Sequence, residues 1–362
     1  MLAEQTKRKL LRMPNSHWKD GRIETPTGSV PRLRNGLAIQ DWLGAFKARW
    51  MINRTRYFIP AGLYAAGSPD RKSPVLVTAN YKLTIDALRR EITGRDLWVL
   101  VLDTRGINVW CAAGKGTFGT DELVNRIAEA GLAEVVEHHS LILPQLGAPG
   151  VAAHEVRKRS GFNVIYGPVR ASDLARFLDR GLEVTPEMRR VTFPFDRRIV
   201  LIPVELLTAL KYGLLACLCL LIAGGIGREG YDTQRALNQG LVAAAYLGAG
   251  IAGGTILVPA LLPWLPGRAF SAKGLAAGTG LTGLLIVFFP SFMLFSANPL
   301  TTLSLIAVAL AVASFTGMNF TGSSTYTSLS GVRREMRRAV PLQFGAAILG
   351  LAAWMVARFW SF

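Results

Sequence analysis

One stretch of this chain holds the residue types from which a reactive centre could be built: Asn108-Val109-Trp110-Cys111-Ala112-Ala113-Gly114-Lys115-Gly116. Cys111 is one of three cysteines, and the other two, Cys217 and Cys219, lie in a long apolar run. A thiol can be a nucleophile or a soft metal ligand, and a neighbouring cation populates the thiolate that both roles need. Lys115 follows four residues later, one turn on if the segment is helical. Nucleophilic catalysis would also need a base in reach. His138, His139 and His154 exist, but spacing alone puts none of them beside Cys111. The ordinary alternative is a small buried cysteine. Against it, Trp110 with Ala112, Ala113 and Gly114 surrounds the thiol with one large and several small residues, a surface a flat, bulky partner could press against.

Other chemistries fit the same stretch less well. A phosphate loop needs G-x-x-x-x-G-K-[ST], but Gly106 and Gly114 are eight apart and Gly116 stands where the hydroxyl would hold magnesium. The letters GKGTFG match a dinucleotide fingerprint at Gly114, Gly116 and Gly119, yet they do not follow a strand directly. No C-x-x-C occurs, and the three cysteines and four histidines have no zinc-finger spacing.

The elements around the motif are legible. Short apolar runs alternate with amphipathic helical patterns: PVLVTAN, KLTIDALRREI, DLWVLVLD, DELVNRIAEAGL, HSLILPQ, GVAAHEVRKRSG, FNVIYGPV and ASDLARFLDRG. Such βαβ units imply an α/β fold, Rossmann-like, with a mostly parallel sheet and helices on both faces. Ligands bind beyond the carboxyl ends of strands in such sheets. The segments there are TAN, DTRGINVWCAAGKG, PQLGAPG and YGPVRA.

The second half is different. Charged residues make up 18% of the 362, against about 25% in soluble proteins. Residues 1–198 hold 31 Lys+Arg and 20 Asp+Glu, whereas residues 199–362 hold 10 and 4. Five apolar runs, at about 199–224, 236–262, 275–295, 300–318 and 339–358, each approach the ~20 residues that cross a bilayer. Basic residues (Arg189, Arg190, Arg197, Arg198; Arg268, Lys273; Arg333, Arg334, Arg337, Arg338) recur at alternate loops. The positive-inside rule then puts the front half in the cytoplasm and the C-terminus outside, a multi-pass protein of the cytoplasmic (inner) membrane. Lys7, Arg8, Lys9 and Arg12 break up the first apolar residues, so no secretory signal is expected. The net charge of +17 is spread diffusely or sits in short loops, which argues against a nucleic-acid partner. Glu205 and Lys211 are the charges at membrane depth, near one end of the first run, which favours anchoring over transport. The expected organisation is an N-terminal extension (1–49), an α/β domain (50–185), a linker (186–198) and a five-helix all-α transmembrane domain (199–362).

NVWCAAGKG resembles, almost letter for letter, the cap-helix signature of the HgcA family, the corrinoid proteins of microbial mercury methylation. VTANYKLT, LILPQLGAPGVAAHEVRK and YGPVRA are also similar to that family, and the likeness extends over about residues 50–362. Related domains occur in the large subunit of the corrinoid iron-sulfur protein of acetyl-CoA synthesis. The resemblance implies a cobalamin-type corrinoid, with Cys111 as lower axial ligand to cobalt; no D-x-H-x-x-G loop supplies a histidine instead. It implies that Asn108, Val109, Trp110, Ala112, Ala113, Gly114 and Lys115 line the lower corrin face. Thr78, Asn80, Thr84, Gln145, Gly147, Gly150, Val151, Gly167 and Ala171 would hold the rest of the cofactor; Thr78, Thr84 and Ala171 could equally be capping and turn residues. The implied activity is methyl transfer from cysteine-ligated methylcobalamin to Hg(II), the strongly donating thiolate favouring loss of the methyl as a carbanion equivalent. The implied partners are a methyl donor of the methyltetrahydrofolate pathway, membrane lipid, and a ferredoxin-like protein with two [4Fe-4S] clusters. An iron-sulfur cluster in this chain itself is not expected, since cluster binding takes four thiolates. The alternatives are a corrinoid methyl carrier with another acceptor, or a membrane transporter with a cytoplasmic regulatory domain.

Overall fold

The computed structural model describes residues 17–294, 298–322 and 329–359. They form two compact units that divide at Val191, with Arg49–Met51 grouped with the second.

The first unit is built on a seven-stranded sheet. Its strands are β1 (Lys19–Thr25), β2 (Gly28–Leu33), β3 (Gly62–Ala66), β4 (Val75–Ala79), β5 (Leu97–Leu102), β6 (Ser140–Leu143) and β7 (Asn163–Tyr166), in the spatial order β1-β2-β3-β5-β4-β6-β7. The four strands read from the βαβ pattern, β4 to β7, are mutually parallel. β3 runs antiparallel to β5 and parallel to β2, and β1 closes the edge as an antiparallel hairpin with β2. Every residue of β4 and β5 is buried, because helices cover both faces. Alternation along β5 divides the core: Trp98, Leu100 and Leu102 face one layer, Leu97, Val99 and Val101 the other.

The first layer holds α3 (Val109–Lys115), α4 (Thr120–Glu129), α5 (Leu132–Val135) and α6 (Ala153–Ser160). The other holds α2 (Lys82–Glu91) and α7 (Leu174–Asp179). The stretch 1–49, set apart in the sequence as an extension, contributes β1, β2 and α1 (Ile39–Arg49) to this unit. Its polar hairpin and small-residue neighbour β3 carry no strong strand signal. Met188, in the stretch read as a linker, is fully buried in the α2–α7 core.

A buried ionic cluster pins α1 to α2. Lys82 Nζ lies 2.6 Å from Asp41 Oδ1, and Arg89 Nη1 donates to Asp41 Oδ2 at 3.2 Å and to Asp86 Oδ1 at 2.8 Å. The remaining Arg89 donors reach the carbonyls of Arg34 (3.0 Å) and Gly36 (2.8 Å). Burial pushes the Asp41 carboxyl up, but Lys82, the Ala38 N–H and Arg89 outweigh it and hold the group at about 2. At Asp86 burial wins, and its carboxyl is raised.

In the second unit, among the described residues, five helices are long and apolar enough to cross a membrane: Phe195–Gly224, Thr233–Leu261, Phe270–Phe288, Pro299–Gly322 and Ser330–Val356. Their regular α-helical parts are α8 (Ile202–Gly224), α9 (Thr233–Ala252), α10 (Phe270–Phe288), α11 (Pro299–Asn319) and α12 (Leu329–Val356). The third begins five residues before the run read from sequence and stops at Phe288, because Pro290 cannot continue the hydrogen-bond ladder and opens a separate turn. The end of that run, at residue 295, lies outside the described residues. The fifth begins ten residues early, so Arg333, Arg334, Arg337 and Arg338 are helical rather than in a loop. The helices pack closely through glycine: a Cβ on Gly240 would sit 2.7 Å from Leu221 Cα. Leu214, Leu215, Val287, Leu342 and Leu349 are exposed on the bundle's outside.

Candidate functional site

The site gathers at the carboxyl edge of β4, β5 and β6, and its centre is α3. Asn108 caps the helix: its backbone is extended and its Oδ1 accepts from the Cys111 N–H at 2.9 Å. Gly116 ends the helix in the left-handed conformation, φ 79°, which favours glycine. Seven residues are thereby fixed in less than two turns, and their faces divide. Val109, Ala112 and Ala113 are buried against the sheet. Trp110 and Cys111 are half-buried, and Gly114 and Lys115 are exposed. Cys111, Gly114 and Lys115 share one face through i,i+3 and i,i+4 spacing.

Gly114 is the informative position. Among the described residues, nothing beyond its own helix lies within 4 Å of where its Cβ would be, and no positive φ demands glycine. A helical glycine costs about 1 kcal/mol against alanine, and the packing of this chain gives no reason for it. The result is a flat, open strip beside a thiol.

The loop leading into α3 is held by Asn80, which is 2% exposed. Its Oδ1 accepts from the N–H groups of Thr104 (3.2 Å) and Gly106 (3.0 Å), and its Nδ2 donates to Asp103 Oδ1 at 3.0 Å. The Thr104 hydroxyl lies between Asn80 Oδ1 (2.8 Å) and the Ile107 carbonyl (2.6 Å). These bonds fix a turn with two successive left-handed residues, Arg105 (φ 58°) and Gly106 (φ 70°). The turn is tied to α4 as well, since the Asp103 N–H donates to Glu122 Oε1 at 2.8 Å. Asn80 is therefore a positioning residue whose amide is already committed within the protein. Thr104, Asp103 and Phe118 are the residues that sequence reasoning did not single out. The first two carry the signal of a polar turn directly after a buried strand; Phe118 carries none.

The loop after β6 packs directly under α3. A Cβ on Gly150 would lie 3.0 Å from Ala113 Cα, and one on Gly147 would lie 2.5 Å from the Phe118 ring. Both glycines thus serve close approach within the chain. Val151 is buried, its carbonyl accepting from the Tyr166 hydroxyl at 2.7 Å, while the Ala152 N–H donates to Thr120 Oγ1 at 2.9 Å. Gln145 differs: its Oε1 is buried and accepts no hydrogen bond among the described residues. An orphaned buried acceptor marks a place for an additional donor.

Gly167 continues the edge, its N–H donating to the Leu143 carbonyl at 2.8 Å. Thr78 is buried within β4. Thr84, in the first turn of α2, and Ala171, in the turn next to it, belong to the opposite layer from α3. The structure thus brings together Asn108–Lys115 with Gln145–Val151 and leaves Thr84 and Ala171 across the sheet. His138 and His139 precede β6, at the opposite edge from α3: His138 Nε2 is 3.0 Å from the Ser73 carbonyl, and His139 packs on Phe162. His154 is exposed beside Glu155. Among the described residues no group of three or more His, Cys, Asp or Glu could hold a metal ion.

Residues 57–178, which span β3 to α7 and hence this whole edge, match the family model described as the CO dehydrogenase/acetyl-CoA synthase delta subunit. Over about the same length the chain is 33% identical to the acetyl-CoA decarbonylase/synthase complex subunit gamma of Methanopyrus kandleri. The match covers 34% of this chain and 26% of the relative. The corresponding subunits of Methanosarcina acetivorans and Methanothermobacter thermautotrophicus are 31% and 32% identical, covering 35% and 34% of this chain and 28% and 27% of theirs. This chain therefore spans about a quarter of the length of these curated relatives. The likeness is thus confined to the α/β core that carries the site. Neither β1, β2 and α1 nor the five apolar helices fall in the family-model match.

Proposed function

We propose that the chain is a membrane-anchored corrinoid-dependent methyltransferase whose acceptor is Hg(II). The observation that carries this reading is the face of α3: a half-buried thiol beside a helical glycine that the chain itself does not need. A flat macrocycle has room there, and the orphaned Gln145 oxygen offers an acceptor to an amide-bearing side arm. The residues present therefore fit a corrinoid. When bound, it would supply a cobalt-held methyl group that leaves with its bonding electrons.

The chain's own part is positioning and ligation. Asn80 fixes the Asp103–Ile107 turn, the turn and the Asn108 cap fix the start of α3, and Cys111 on α3 would hold the cobalt of the bound group. Soft thiolate is a strong donor, which favours departure of an anionic methyl equivalent to a soft electrophile. Gly147 and Gly150 let the neighbouring loop approach and close the floor of the site. Trp110 would border the macrocycle, and Lys115 could meet a carboxyl or phosphate of its periphery. In this reading the α/β unit is cytoplasmic, the C-terminus lies outside, and a ferredoxin-like partner with two [4Fe-4S] clusters would supply the low-potential electrons.

A second reading has a specific observation in its favour. The match over residues 57–178 to subunits of an acetyl-CoA-forming complex supports a methyl carrier with another acceptor. One experiment separates the two. The full chain is expressed with the ferredoxin-like partner in a host lacking both genes, and methylmercury is measured beside corrinoid content. Coloured, corrinoid-loaded protein without methylmercury would retain the carrier and discard the mercury acceptor. Colourless protein after reconstitution with cobalamin would discard both.

A further inference from the structure

A cavity of about 600 Å³ opens in the second unit, among helix ends, and none of its lining residues belongs to the α3 site. It lies where three long helices begin. Arg198 precedes α8, Arg268 and Lys273 flank the start of α10, and Glu335 is in the second turn of α12. Phe193, Leu262 and Phe270 supply apolar wall between these charges.

The charges do not cancel. Three cations face one carboxylate, and the carboxylate is partly occupied, Glu335 Oε1 accepting from the Ser271 N–H at 2.6 Å. Lys273 is partly occupied too, its Nζ donating to the carbonyls of Leu262 (2.9 Å) and Leu265 (2.6 Å). Arg198 is not. It is 4% exposed, and its Nε and Nη1 have no hydrogen-bond acceptor among the described residues. Its guanidinium lies near the rings of Phe195 (5.7 Å) and Trp264 (6.0 Å), which cover its faces but offer no acceptor to Nε or Nη1. A buried guanidinium with unfilled donors is costly unless an anion completes it. Arg268, exposed at the rim, adds a second cation.

We propose that this cavity binds a phosphate-type oxyanion, supplied by the headgroup of an anionic phospholipid. The planar fork of Arg198 matches phosphate oxygens. Basic pockets between helices at one end of a bundle are a recurrent headgroup site. The apolar walls and the exposed apolar flanks of the neighbouring helices suit the acyl portion better than a free ion would. The inference rests on the five helices spanning a bilayer and is independent of the corrinoid reading.

The test uses the full chain in nanodiscs of phosphatidylcholine with a minor fraction of phosphatidylglycerol, followed by native mass spectrometry. One phosphatidylglycerol is expected to remain per chain, and Arg198→Met should lower its retention at least tenfold. Glu335→Gln keeps an acceptor for Ser271 while removing the opposing charge, so it should raise retention. That variant keeps the test decisive if Arg198→Met fails to accumulate. Retention unchanged in Glu335→Gln, or equal retention of phosphatidylcholine, would overturn the proposal. A thermal shift with millimolar inorganic phosphate, without lipid retention, would overturn the lipid source. Corrinoid colour should be the same in all these variants, so failure here leaves the α3 reading intact.

Discussion

Replacing Asn80 by alanine should release the start of α3 while leaving the sheet in place. The magnitude follows from the bonds the side chain makes. Thr104 is fully buried, so without Asn80 Oδ1 its N–H would have no water to turn to, a loss of about 1–3 kcal/mol. Gly106 is half-exposed, and solvent can replace the acceptor of its N–H at a net cost of about 1 kcal/mol. The Thr104 hydroxyl keeps the Ile107 carbonyl, and Asp103 keeps the Arg105 N–H at 2.9 Å. The sum is about 3 kcal/mol, concentrated in the one turn that already holds two left-handed residues. At 1.4 kcal/mol per tenfold, local opening should become roughly 100-fold more frequent. Amide hydrogen exchange of the full chain in nanodiscs reads this directly. Peptides covering 103–112 should lose protection by about that factor, with those covering β5 unchanged, and corrinoid affinity should fall alongside. Asn80→Asp retains the acceptor but sets a second carboxylate against Asp103, so it should fall between wild type and alanine. Exchange in 103–112 within a few-fold of wild type would refute the positioning role. An equal acceleration across β4 and β5 would instead show that Asn80 supports the whole unit.

The other expectations can be stated briefly. Gly114→Ala should stabilise α3 by about 0.5–1 kcal/mol while weakening corrinoid binding, two effects of opposite sign read by thermal unfolding and by cobalamin titration. Cys111→Ala should abolish methylmercury formation without unfolding the α/β unit, and Cys111→His should keep colour but shift the visible spectrum, since imidazole donates less than thiolate; wild-type activity in the alanine variant would remove the ligand role. Asp41, with its folded pKa depressed from 3.8 to about 2, contributes stability that is present above about pH 4 and lost as the pH falls toward 2. Removing its partner with Lys82→Met should therefore move acid unfolding to higher pH, measured by circular dichroism. Methylmercury production should also require the ferredoxin-like partner, and sustained production by this chain alone would contradict that.

The four parallel strands were legible because each is a short, mainly apolar run alternating with amphipathic helices, the signature of a sheet covered on both faces. β1 and β2 were not, because an edge hairpin with one solvent face reads as KDGRIET and GSVPRL, polar segments with no apolar run. The ionic cluster was hidden for a different reason. Asp41, Lys82, Asp86 and Arg89 are ordinary surface residue types, and only the docking of α1 on α2 turns them inward. Helix ends in the second unit shifted because hydropathy locates apolar residues, whereas a helix continues through arginines until something stops it, as Pro290 does. At the site, the motif letters located α3 but not the division of labour within it.

That division narrows what the motif can say about a ligand. Asn108 and Gly116 are explained by the two ends of the helix, and Val109, Ala112 and Ala113 by the core beneath it. Gly147 and Gly150 are explained by Phe118 and Ala113, which leave no room for a Cβ. Each of these would be needed in a protein that bound nothing at all. Trp110, Cys111, Gly114 and Lys115 have no such explanation, and three of them share one face. A planar, metal-bearing ligand would use that combination: a donor atom, bare backbone beside it, and a charge at the rim. Within the motif, the corrinoid reading therefore rests on four positions rather than nine. Substitutions at those four should separate binding from folding, whereas substitutions at the other five should disturb both together.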